Sequence, residues 1–142
     1  MLRQVEVSTD KGRFNAPASP VFDEIPNLAV TMTTFGFFEV THVKTGLRLA
    51  GNYERYANAA CTMARIQMAF DELGIVSGCD KDEFLSQYND KNKPCEALGG
   101  VHLAQWLNMN NQGLDIAGEF PWETDEDCPH TRFDELLKDI GN

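Results

Sequence analysis

The side chains able to ligate a metal or attack a substrate are few and widely spaced: Cys61, Cys79, Cys95 and Cys128, with His42, His102 and His130. Structural zinc draws on close ligand pairs, because two donors on one turn reach one tetrahedral ion. The chain has no Cys-x-x-Cys, and its nearest pair, Cys128-Pro129-His130, is interrupted by a proline. The expectation is therefore no metal and no bound cofactor. A cysteine nucleophile needs a thiolate, a histidine and an orienting group. Cys95 with His102 is the couple that comes closest, because Gly99-Gly100 between them offers backbone N–H groups at a helix start. An acidic chain disfavours a thiolate, so a small cysteine-dependent enzyme stands only as a second alternative, behind a protein with no catalytic residues.

Carboxylates cluster twice, at Asp80, Asp82 and Glu83 and at Asp125, Glu126 and Asp127. A calcium loop supplies about six to eight oxygens around a sharp glycine turn. The first cluster lacks that glycine, and Asp80 with Glu83 reads better as a helix N-cap and its capping-box partner. No Gly-x-x-x-x-Gly-Lys or Gly-x-Gly-x-x-Gly cradle for phosphate is present.

Charge is the more informative property. Twenty-two acids against twelve bases leave a net −10, and residues 115–142 alone carry −7. Such a field repels nucleic acid and anionic membrane and attracts basic surfaces. No basic stripe with interleaved aromatics marks direct nucleic-acid binding. Phe120-Pro121-Trp122-Glu123 leads into the acidic run, and aromatic anchors amid charge are what protein interfaces use. The partner-binding residues expected from this pattern are Glu119, Trp122, Glu123, Asp125, Glu126, Asp127, Asp134 and Glu135, with help from Asp71, Glu72 and the residues at 80–83.

The functional expectation is a non-enzymatic acidic protein that engages the basic surface of a protein partner. Where that surface is a nucleic-acid groove, the chain acts as a nucleic-acid mimic and inhibitor, in the style of an accessory protein of a phage or mobile element. The alternative is a structural or assembly component of a virion or other complex, self-associating through an N-terminal arm. Against both stands the reading that acidity serves solubility alone and that Trp122 closes the core.

These residues need a scaffold. A chain of 142 residues suits a single domain. Its apolar runs fall far short of the ~20 residues that span a bilayer, and its start lacks the apolar stretch of a secretory signal. A cytoplasmic protein with four free thiols is expected. Residues 1–9 alternate as an edge strand, and 15–27, with Pro17, Pro20 and Pro26, read as an extended arm. Residues 30–43 and 47–50 form a β-hairpin around Lys44-Thr45-Gly46. Asn52 caps a long helix over 53–73, closed by Gly74. Shorter helices follow at 80–88, 101–109 and from Thr131, with a strand at 114–117. The expected fold is α+β: an antiparallel hairpin or small sheet packed against one long and three shorter α-helices, residues 28–142 forming the core.

Overall fold

Val, Thr and Phe crowd residues 28–43, and such side chains fit a pleated surface. In the computed structural model, which describes residues 3–9, 11–34, 36–109 and 128–141, this stretch forms the middle of a five-stranded antiparallel sheet. The strands lie side by side in chain order: β1 (Arg3–Thr9), β2 (Gly12–Ala18), β3 (Leu28–Thr34), β4 (Phe37–His42) and β5 (Leu47–Tyr53). Among the described residues the helices are α1 (Tyr56–Leu73), α2 (Lys81–Asp90), α3 (Leu103–Met109) and α4 (Pro129–Gly141). A two-residue ladder, β6 (Pro94–Cys95) with β7 (Val101–His102), encloses a 3₁₀ turn at Glu96–Leu98. The fold is α+β: among the described residues, one long and three shorter helices lie beside an antiparallel sheet. The strand expected at 114–117 lies outside the described residues.

Strand alternation gives the sheet two unlike faces. Leu28, Val30 and Val40 join Ala60, Met63, Ile66 and Phe70 of α1 in the main core. On the other face Ala29 joins Val5 and Ala18 in a small second cluster, and the hydroxyls of Thr31 and Thr41 share a 2.7 Å hydrogen bond. The sheet curls until β1 reaches the β4–β5 turn, where the Ser8 N–H donates to the Gly46 carbonyl at 2.9 Å. Gly46 permits this approach. Its φ is +75°, and a Cβ there would stand 2.8 Å from the Glu6 carbonyl oxygen.

Local signals set several helix ends. Gly74, at φ +73°, closes α1, and the Ile75 N–H donates back to the Phe70 carbonyl at 2.8 Å. The Asp80 carboxylate accepts the Glu83 N–H at 3.0 Å and starts α2.

One expectation is sharpened and two are corrected. The stretch 15–27 is held by the domain itself. Residues 12–18 pair with β1 along their whole length, and Ala16, Ala18 and Ile25 are buried. Pro17 does not break β2, because its nitrogen faces β3 and not β1. With Ser19 and Val30 hydrogen-bonded, Pro17 opposite Met32 would be the next bonded pair, and proline has no N–H to give. The β2–β3 ladder accordingly holds only the Ala18–Thr31 pair. Asn52 does not cap α1, since β5 runs on to Tyr53 and Arg55 occupies the N-cap position. Nor does Thr131 cap α4. The helix begins at Pro129, whose missing N–H costs nothing at a first helical position, and the Arg132 N–H donates to the Cys128 carbonyl.

Gly46 and Gly36 separate conformational strain from contact, because both have positive φ but only Gly46 is crowded. Gly46→Ala should cost about 2–4 kcal/mol, from the left-handed backbone plus overlap with β1. Gly36→Ala should cost about 1–2 kcal/mol, from the backbone alone. Urea unfolding measures both, and equal losses would show that the approach of β1 contributes nothing.

Candidate functional site

Two regions concentrate polar chemistry. The first is the outer side of α4. Phe133 and Leu136 of that helix are buried against α1, while Asp134, Glu135 and Asp139 on the opposite side are exposed. The turn at 20–25 packs beside it. Phe22 meets Phe133 edge-on with ring centroids 5.2 Å apart, and the Glu24 side chain lies against Gly141. This brings Glu24, from an early part of the chain, to the end of α4 beside Leu137, Lys138 and Gly141. Sequence spacing carried no signal of that contact. Ion pairs among the described residues are Arg13–Glu6 at 2.6 Å and Arg48–Glu39 at 3.2 Å, and neither touches this face. Glu119, Trp122, Glu123, Asp125, Glu126 and Asp127 lie outside the described residues.

Asp71, Glu72 and Asp80, also singled out in the sequence, hold structure together. Glu72 accepts the N–H groups of Glu96 and Ala97 at 2.8 and 3.1 Å and so anchors the 3₁₀ turn. Those bonds hold its carboxyl below the ordinary range. Asp71 accepts from Gln67, and Asp80 caps α2.

Cys95 and His102 are not brought together. Cys95 pairs with Val101 and His102 with Pro94, so the two side chains emerge on opposite faces of the ladder. Cys95 is fully buried and His102 exposed. Burial pushes the Cys95 thiol up, and its contact with the Glu72 carboxylate adds to this. Burial likewise pushes Cys61 up to about 11, and its thiol donates to the Pro129 carbonyl at 3.2 Å. Cys79 is raised by desolvation and by Glu83 and Asp80. All four cysteines are free, and no three of His, Cys, Asp or Glu among the described residues are placed to share a metal ion.

His42 is a core residue. Its Nε2–H donates to the Ser77 carbonyl, so Nδ1 is left to accept the Thr45 hydroxyl at 2.8 Å, and the ring stacks on Phe84 at 4.0 Å. Burial lowers its pKa, partly offset by the Ser77 bond.

The second region escaped the sequence reading. A cleft of about 450 Å³ lies between the end of β1 and the polar face of the sheet, lined among others by Thr9, Thr33, Glu39, Thr41, Arg48 and Asn52. Glu39, only 4% exposed, anchors it. A β-bulge lies between Thr31 and Thr34, and the nearby Thr33 backbone N–H favours the ionised form of the Glu39 carboxyl. Arg48 Nη1 donates to Glu39 Oε2 at 3.2 Å and to Asn52 Oδ1 at 3.4 Å. Gly51 makes room, since a Cβ there would stand 2.8 Å from Glu39 Cγ. Desolvation raises the Glu39 pKa and Arg48 opposes the rise. A charged residue inside the apolar run Phe37-Phe38-Glu39-Val40 was the available signal, since glutamate is rarely buried unless paired.

Comparison with family models, with curated proteins and with solved structures finds no match to this chain.

Two outcomes follow from the titratable groups. Alkylation with iodoacetamide at neutral pH should leave Cys95 unmodified in the native protein and label it only after unfolding, as peptide mass spectrometry reads directly. Rapid native labelling of Cys95 would restore it as a nucleophile. Long-range ¹H–¹⁵N NMR should find His42 in the Nε2–H form with a midpoint below the ordinary value of about 6.5. Because its folded pKa is depressed, the stability His42 contributes is complete above that value and is lost as pH falls through the folded midpoint. A midpoint at or above 6.5 contradicts the buried neutral ring.

Proposed function

We propose that this chain is a non-enzymatic acidic binding protein that engages the basic surface of a protein partner, with the outer side of α4 as its docking face. The observation that carries this reading is that Asp134, Glu135 and Asp139 are exposed on a helix clamped to the core. No ion pair among the described residues neutralises them, and with Lys138 on the same side the face stays net acidic. Exposed carboxylates on a fixed element act at a distance of roughly a Debye length, ~8 Å at physiological salt, and steer an oppositely charged partner. A basic groove that otherwise holds nucleic acid is the target class, and nucleic-acid mimicry is the mode of inhibition. The setting proposed for this encounter is the cytoplasm. Among the described residues no helix is long and apolar enough to cross a membrane.

The test is a native pull-down with the full chain at ~50 mM and ~200 mM salt, read by mass spectrometry. Basic nucleic-acid-binding proteins should be recovered at low salt, released by added duplex DNA and lost at high salt. The triple variant Asp134→Asn, Glu135→Gln, Asp139→Asn should retain them several-fold less well while keeping its circular dichroism spectrum. An unchanged partner set in that variant, or no basic partner at low salt, sinks the reading.

A further inference from the structure

The cleft beneath β1 contains an arginine anchored through one guanidinium nitrogen. Arg48 is fixed on one side only. Its Nη1 is shared between Glu39 Oε2 and Asn52 Oδ1, and Glu39 is buried in the space that Gly51 leaves. The Nε and Nη2 donors of the same guanidinium have no partner among the described residues. The side chain is 41% exposed, whereas the Glu39 side chain is 6% exposed, so the carboxylate sits behind the arginine and the open donors border solvent. A guanidinium restrained in this way has already lost rotamer freedom that a ligand otherwise has to remove. Its planar fork matches the two oxygens of a carboxylate or phosphate, and the resulting charge-assisted bonds are the strong ones. The cleft volume of about 450 Å³ falls in the range of small-molecule pockets.

We propose that this cleft binds a small oxyanion ligand, bearing a carboxylate or a phosphate, through the free edge of Arg48. Thr33 and Thr41 line the floor and Thr9 the β1 side. On the adjoining hairpin, Glu6 and Arg13 are paired with each other at 2.6 Å. The net −10 of the chain opposes a bound anion, so affinity depends on the fork and not on the general field. This site is separate from the α4 face and does not rest on the partner proposed there.

The experiment is an NMR titration of the full ¹⁵N-labelled chain with sodium acetate and, in a second arm, inorganic phosphate, at ionic strength held constant with chloride. Saturable shifts are expected at Thr33, Thr41, Arg48 and Asn52. The tighter of the two anions identifies the headgroup as carboxylate or phosphate. Arg48→Gln should abolish the response. Arg48→Lys, which keeps the charge but not the fork, should weaken it several-fold. Glu39→Gln should tighten it several-fold, because an amide oxygen still accepts from Nη1 while the negative charge behind it is gone. Shifts that never saturate, or that persist in Arg48→Gln, overturn the proposal. So does a natively folded Glu39→Gln variant that binds no more tightly, since it would mean that Arg48 serves Glu39 alone.

Discussion

The burial of α1 on almost every side is the constraint to which the remaining elements answer. Eleven of its eighteen residues are buried, including five alanines. Small side chains let neighbouring elements approach the helix closely, so the sheet, the 3₁₀ turn and α4 all pack on it. Large side chains are kept for the centre, where Met63, Ile66 and Phe70 are fully enclosed. A helix covered this way decides the orientation of α4. Phe133 and Leu136 must turn inward, and the acids between and beyond them are carried outward by helical geometry.

The sheet obeys the same constraint through its alternation. Because one face is committed to α1, every second residue of β3 and β4 is delivered to the other side. There the core is thin, and Thr31, Thr41 and Glu39 are buried with partners in place of apolar neighbours. Burying a charge pair is a poor way to gain stability, since desolvation offsets the attraction. The missing side chain at Gly51 and the position of Arg48 nonetheless converge on that one carboxylate. Its physical effect is to hold a guanidinium at a fixed place in the cleft.

Elements whose ends depend on bonds a few residues long were legible. The Gly74 ending of α1 and the Asp80 cap of α2 are of this kind. So is the turn at Lys44-Thr45-Gly46, where Thr45 also bonds His42 and Leu47 within the turn. Asn52 misled because an asparagine at a helix start caps only if the chain bends there, and β5 continues past it. The prolines at 17 and 20 suggested an arm because a proline's effect in a sheet depends on which neighbour its nitrogen faces. Cys95 and His102 looked like a couple because distance along the chain carries no information about which face of a ladder each occupies.

The sequence by itself determined the fold class and the concentration of acid toward the C-terminal end. Periodicity, turn residues and charge are properties of the chain before it folds. Tertiary structure alone decided which acids are spent on holding turns and caps, as Glu72 and Asp80 are, and which have no ion pair among the described residues, as Asp134, Glu135 and Asp139. It alone placed Glu24 beside α4, and Glu39 behind Arg48. The physical reason is common to all of these. Whether a carboxylate is a cap, a buried partner or a free charge depends on the donors that folding brings within hydrogen-bonding distance, and those donors come from distant parts of the chain.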